Sequence, residues 1–249
     1  MKSLVVGNWK LHINSMRDGK NLLRAIDKKF PRGAKALVAV CPQVSLAAGL
    51  RAEYGGRRIA FGTQDVSYNT EGPHTGSVSP LSLKNSGLEY VIVGHAEMRA
   101  LGDTDEIVSK KAAAALAAKL HPIICVGEPT RDAEGGHFSY LAKEVVASLS
   151  RIESMYAPRL TIAYDPRWAI GEPDPPPPRV VSEAIIFIRK TLAEMWGREM
   201  ALKTRIIYGG SVDVEHAKAL VMQGHVQGFL VGRASDHAES FTSIIRAFS

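Results

Sequence analysis

Short apolar runs recur along this chain, and each is followed by a stretch with polar positions at helical spacing. The runs are Leu4–Val6, Ala36–Cys41, Arg58–Gly62, Tyr90–Val93, Pro122–Val126, Leu160–Tyr164, Arg205–Tyr208 and Phe229–Val231. They are β-branched and largely unalternating, as strands buried on both faces should be. Between them the pattern predicts helices over 15–30, 44–52, 80–86, 104–119, 138–156, 178–196, 213–223 and 236–247. The 104–119 stretch is the clearest, with an Ala-rich body and Asp103 or Thr104 placed to cap it. Strands alternating with helices imply a parallel sheet. Eight such units imply closure, so the expected fold is α/β, a (β/α)8 barrel formed by residues 1–249 as one domain. An open doubly wound sheet is the alternative, but no dinucleotide-binding glycine fingerprint accompanies the units.

Composition narrows the partners. The length of 249 residues suits one such barrel, and 45% hydrophobic with 22% charged residues supplies a large core and excludes disorder. The net charge of +6 favours anionic ligands. Without a Lys/Arg block or interleaved aromatic and basic residues, a nucleic acid partner is not expected. No apolar run approaches the ~18 residues of a membrane span, and Leu4–Val6 is too short for a secretory signal, so no membrane partner and a cytoplasmic location are expected. Cys41 and Cys125 sit inside apolar runs and read as core thiols. Close-spaced Cys/His ligand sets are missing, so neither a metal nor a cofactor is expected.

The candidate chemistry lies where strands end. Tyr208-Gly209-Gly210-Ser211-Val212 and Gly228-Phe229-Leu230-Val231-Gly232-Arg233 each place small residues between an apolar run and a helix. Main-chain N–H groups at such mouths bind anions, and two mouths about twenty residues apart suit one phosphate held by the last two units of a barrel. The other strand ends bring Gly7-Asn8-Trp9-Lys10, Gly94-His95-Ala96-Glu97, Gly127-Glu128 and Tyr164-Asp165-Pro166. A cation, an imidazole and several carboxylates around a phosphate cradle suit proton transfer beside a carbonyl. Each residue also has a plainer role: Lys10 as a solvated lysine, His95 as a structural histidine, Asp165 as a turn residue, Glu97 as an early-helix acid. Convergence weakens those alternatives. The remaining histidines show none and are expected at the surface or in the core. The run from Gly171 to Pro178 is unusual, since four consecutive prolines remove main-chain donors and lead into a helix.

Gly7-Asn8-Trp9-Lys10, Val91-Ile92-Val93-Gly94-His95, Cys125-Val126-Gly127-Glu128, Ala163 to Gly171, Tyr208 to Val212 and Leu230-Val231-Gly232 together resemble the triosephosphate isomerase family over essentially the whole chain. The resemblance implies an isomerase of glycolysis and gluconeogenesis that interconverts glyceraldehyde 3-phosphate and dihydroxyacetone phosphate through an enediolate. Asn8 and Lys10 would contact substrate. His95 would be a neutral electrophile, Glu97 a buried polar partner of Lys10 and His95, and Asp165 the base. Gly171, Ser211, Leu230, Gly232 and Arg233 would line or bind the phosphate end. Pro166-Arg167-Trp168 would hinge a lid, and the loop from Gln64 to Ser79, with Thr75, would interlock two subunits of a homodimer.

Five departures from the family pattern stand out. The base is Asp165 where the family has glutamate. One missing methylene withdraws the carboxylate by about 1 Å, which can cost ~10²-fold in rate or about 2.7 kcal/mol of barrier. Ala96 replaces a serine and Met98 an arginine. The far lid hinge is Glu172-Pro173-Asp174, and Arg233 stands where a glycine is usual. If that position needs a positive φ, Arg233 is strained; if not, its N–H serves and its charge adds to the phosphate site. Changes gathered at the reactive end leave two further expectations open: an isomerase of a related ketose phosphate such as erythrulose 1-phosphate, or a non-catalytic phosphate-binding relative.

Overall fold

The computed structural model describes residues 1–169, 174–223 and 225–249. Eight parallel strands close in sequence order: β1 (Leu4–Asn8), β2 (Leu37–Cys41), β3 (Ile59–Thr63), β4 (Tyr90–Val93), β5 (His121–Val126), β6 (Thr161–Tyr164), β7 (Arg205–Tyr208) and β8 (Gly228–Val231). Closure is made by β1, whose residues pair with Leu37–Cys41 on one side while Leu4–Gly7 pair with Gly228–Val231 on the other. Around the barrel lie α1 (Met16–Lys29), α2 (Val44–Glu53), α3 (Pro80–Asn85), α4 (Ala96–Ala100), α5 (Asp105–Ala117), α6 (Gly136–Ser148), α7 (Pro178–Trp196), α8 (Arg198–Lys203), α9 (Val214–Met222) and α10 (Ala238–Arg246). All eight expected strands are present, and the barrel is the expected one.

The pleat explains why the runs carried no alternating polarity. Val5 and its equivalents face the helices, whereas Leu4, Val6, Ala39, Cys41, Ile92, Ile123, Cys125, Ala163, Ile207 and Leu230 fill the interior, so both faces of each strand are apolar. Both cysteines are free and buried there, and burial pushes both thiols far above their ordinary range.

Helix boundaries follow local chemistry. Thr104, not Asp103, caps α5, its hydroxyl accepting the Ile107 N–H at 3.3 Å. Pro178 occupies the first turn of α7, where a missing N–H costs nothing. The helix expected over 138–156 ends at Ser148 and is followed by a 3-10 turn at Ser154–Arg159 that contains Pro158. The helix expected to start beside His95 is the five-residue α4, and the short α8 has too few residues to show a period and was not expected.

Candidate active site

At the C-terminal ends of the strands lies an open cleft of about 660 Å³ lined by Asn8, Lys10, His95, Glu97, Asp165, Gly209, Gly210, Ser211, Leu230, Gly232 and Arg233, among others. Apart from Gly171, which lies outside the described residues, every residue to which the family resemblance gives a place in the site borders this one space.

Asp165 is the most constrained. Its N–H donates to Val126 O at 2.8 Å, and the flanking residues are tied down too: Gly209 N–H to Tyr164 O at 2.7 Å and Arg167 N–H to Glu128 O at 3.1 Å. The approach to β5 is so close that a Cβ on Gly127 would sit 1.9 Å from the Asp165 carbonyl oxygen, so only glycine fits. The residue is 5% exposed, and its Oδ2 has no hydrogen-bond partner among the described residues. Burial, partly offset by the Lys10 charge, raises its carboxyl to about 7. The residue at 96 is an alanine and offers this oxygen no hydroxyl, in keeping with the orphaned acceptor.

His95 Nε2 lies 3.7 Å from Asp165 Oδ2. His95 is the N-cap of α4, and its Nδ1 accepts the Glu97 N–H at 3.3 Å. Accepting through Nδ1 leaves the proton of the neutral ring on Nε2, which faces the cleft. Burial, with Lys10 adding to it, lowers the His95 pKa, so the ring is held neutral. The turn behind it is fastened by Arg99, which donates to Gly94 O at 2.9 Å, Asp105 Oδ1 at 2.6 Å, Cys125 O at 3.2 Å and Ser148 Oγ at 3.1 Å. Gly94 itself needs φ +67.

Lys10 adopts φ +44, a left-handed conformation that costs a side-chain-bearing residue on the order of 1–3 kcal/mol. Two contacts hold it: its N–H reaches Asn8 Oδ1 at 3.2 Å, and Gln64 Nε2 donates to its carbonyl at 2.8 Å. Its Nζ donates to Glu97 Oε1 at 2.7 Å. Gln64 was missed in the sequence, although it is the first residue beyond β3 and strand ends were the places to look.

Three expectations need correction. Glu97 is not buried: its side chain is 62% exposed, because α4 is a short rim helix that opens onto a second groove. Desolvation raises its pKa but the Lys10 hydrogen bond and charge outweigh it, and the net shift is downward. Glu128 does not join the other carboxylates at the cleft; it is buried and accepts from Tyr164 Oη and Trp168 Nε1, both at 2.8 Å. Not all the other histidines stand apart, since His237 lines the cleft beside Arg233.

The end of the cleft expected to take the phosphate is lined by small residues. Gly209, Gly210, Ser211 and Gly232 all line the cleft, and Ser235 folds back on the Gly232 carbonyl through its N–H at 2.8 Å and its Oγ at 2.7 Å. Arg233 does not have a positive φ, which settles the question of strain. Its side chain is exposed, and it forms no ion pair among the described residues.

The family model described as "Triosephosphate isomerase" matches residues 3–248. The chain belongs to the triosephosphate isomerase family. Proteins named triosephosphate isomerase are similar over 98% of both chains: 38% identical in Carboxydothermus hydrogenoformans, 39% in Moorella thermoacetica and 37% in Endomicrobium trichonymphae. Family membership makes the protein an isomerase of the intramolecular oxidoreductase type, with a phosphorylated sugar as substrate. No helix of the described residues is long and apolar enough to cross a membrane.

Proposed function

We propose that this triosephosphate isomerase relative interconverts glyceraldehyde 3-phosphate and dihydroxyacetone phosphate, with Asp165 as the base. The observation that carries the proposal is a buried carboxylate raised to about 7, with one oxygen unpartnered, across the cleft from the Gly232 turn. A base with a pKa near the working pH has both the right protonation state and adequate driving force. Asp165 takes the carbon-bound proton. The His95 Nε2–H, on a ring kept neutral, donates to the enediolate oxygens and passes a proton between them. A neutral histidine acting as electrophile is the established chemistry of triosephosphate isomerase itself. Lys10 adds positive charge, Asn8 contacts substrate, and Glu97 orients the Lys10 ammonium from the rim. Ser211, Gly232 and, in the part outside the described residues, Gly171 hold the phosphate through main-chain N–H groups; Leu230 floors the cleft and Arg233 adds charge.

The chain works as one barrel domain and as a homodimer, with a place in glycolysis. The tip of the 64–79 loop, Glu71 to Ser77 with Thr75, is exposed. Beside Lys10 lies a groove of about 650 Å³ lined by Gln43, Met98 and Lys111 and by the chain's own loop from Gln64 to Val78, and it is where the loop of a second copy would insert.

A second substrate is favoured by the shorter acid: an aspartate leaves room for one more carbon at the reactive end. Assays on both triose phosphates and on erythrulose 1-phosphate separate the alternatives. Turnover of the trioses above the Asp165→Asn background supports the main proposal. A preference for the four-carbon ester favours the second, and background turnover on all three leaves only a phosphate-binding protein.

A further inference from the structure

We propose that His216 is a positioning residue for the phosphate end of the cleft, fastening the proline-rich segment before α7 to the Ser211 turn. The imidazole Nε2 lies 3.0 Å from Pro176 O and Nδ1 lies 3.2 Å from Ser211 O. One buried ring thus spans two carbonyls on different segments.

Each side of this bridge follows from the sequence. Prolines at 175, 176, 177 and 178 carry no N–H, so this stretch cannot donate main-chain hydrogen bonds to the barrel. It has only carbonyls to offer, and the barrel must supply the donor. His216 supplies it. The histidine is itself fixed: it sits in the first turn of α9, its N–H donates to the N-cap carboxylate Asp213 Oδ1 at 2.7 Å, and its ring packs edge-on against Tyr208 at 5.8 Å. Residues 209 to 213 all line the cleft, so the Ser211 carbonyl on the far side of the bridge belongs to the turn whose N–H groups face the phosphate.

Both partners are acceptors, and a neutral imidazole has a single N–H. Carbonyls from two different segments thus meet at one imidazole, which ties the position of the proline-rich segment to the shape of the Ser211 turn. Removal of the imidazole breaks this bridge and loosens the turn, which weakens recognition of the phosphate group and leaves the sugar carbons untouched.

The inference rests on the proposed phosphate site, and its test separates the two. His216→Phe keeps an aromatic ring and removes its hydrogen-bonding nitrogens; His216→Gln keeps a donor group. Both are compared with wild type in inorganic phosphate binding by calorimetry, and in kcat/KM on glyceraldehyde 3-phosphate and on unphosphorylated glyceraldehyde. The expected result for His216→Phe is about tenfold weaker phosphate binding and a similar loss on the phosphorylated substrate, the scale of one hydrogen bond. Activity on glyceraldehyde stays unchanged, and His216→Gln recovers much of the loss. Equal losses on both substrates, or phosphate binding unaltered in both variants, overturn the inference. If the Phe variant fails to fold, His216→Leu, which also lacks a donor, takes its place, and wild-type phosphate binding by that variant overturns the inference. A wild-type protein that turns over neither sugar but binds phosphate refutes the isomerase proposal, and the calorimetric comparison still decides the role of His216.

Discussion

The imidazole Nε2 of His95 and the Oδ2 of Asp165 lie 3.7 Å apart, a gap too long for a hydrogen bond and short enough for both atoms to touch one small substrate. The distance depends on the length of the acid. Asp165→Glu extends the carboxylate by about 1 Å into the cleft, and a change of that size can alter rate ~10²-fold. We expect kcat on glyceraldehyde 3-phosphate to rise by about that factor with KM little changed, because the added reach acts in the transition state. Asp165→Asn should lose essentially all turnover. Steady-state assays on the three purified proteins check both. A glutamate variant slower than wild type would show that the site has been reshaped around the shorter acid.

The pH profile follows from the environments of the same pair. The base must be ionised to accept a proton, and burial raises Asp165 to about 7. kcat/KM should therefore climb as pH rises toward 7 and level off above it. His95 is lowered by burial, with Lys10 adding to it, so its own titration lies on the acid side of its ordinary value. Measured between pH 5 and 9, a limb centred near an ordinary carboxylate value would place Asp165 in a more polar site than this one.

The barrel was legible from sequence because every strand is apolar on both faces; Val5 and Val6 point opposite ways and neither is polar. The candidate positions around the cleft were legible because they lie at those strand ends, as His95 lies just past β4 and Asp165 next to β6. What stayed hidden depended on where side chains turn. Glu128 follows β5 as Asp165 follows β6, yet it is drawn away by Tyr164 and Trp168. Glu97 was placed in the interior, but a rim helix of five residues leaves it facing a groove. The left-handed turn at Lys10 and its support by Gln64 join residues 54 positions apart, beyond any local pattern.

The raised carboxyl also predicts a cost in stability. In the unfolded chain Asp165 ionises near its ordinary value of 3.8, whereas the folded protein keeps the proton until about 7. Between those values the folded state binds more protons, so this group's contribution is present below pH ~4 and is lost as pH rises through about 7. The loss is on the order of 4 kcal/mol for a shift of this size. Asp165→Asn, which cannot ionise, should melt at the same temperature as wild type near pH 4 and several degrees higher above pH 8. Parallel melting curves at both pH values would refute the buried charge.

Arg233 should act on affinity and not on chemistry. It lines the same cleft as Ser211 and forms no ion pair among the described residues, so its charge is free to meet an anion. Arg233→Ala is expected to raise the KM for glyceraldehyde 3-phosphate several-fold with kcat nearly unchanged. The wild-type KM should also climb more steeply with added salt than that of the variant, since an exposed cation is screened. Equal salt dependence in the two proteins would turn Arg233 away from the phosphate.

The exposed loop tip at Thr75 makes the last prediction. In a single chain the residues from Glu71 to Ser77 are exposed, and the nearby groove is rimmed by Leu11, Val44 and Tyr68, which are 70%, 46% and 44% exposed. Exposed apolar residues gathered round a cavity mark an interaction site. The groove shares Asn8, Lys10, His95 and Glu97 with the catalytic cleft, so whatever fills it also covers the exposed side of the Lys10–Glu97 pair. Sedimentation should give about 54 kDa, twice the 27.0 kDa chain. Thr75→Arg places a bulky charge at the tip of the inserted loop and should shift the protein toward 27.0 kDa. Activity should fall with it, because an uncovered Lys10–Glu97 pair is solvated and less firmly oriented. A Thr75→Arg protein that sediments as one chain with full turnover would separate the catalytic site from the second subunit.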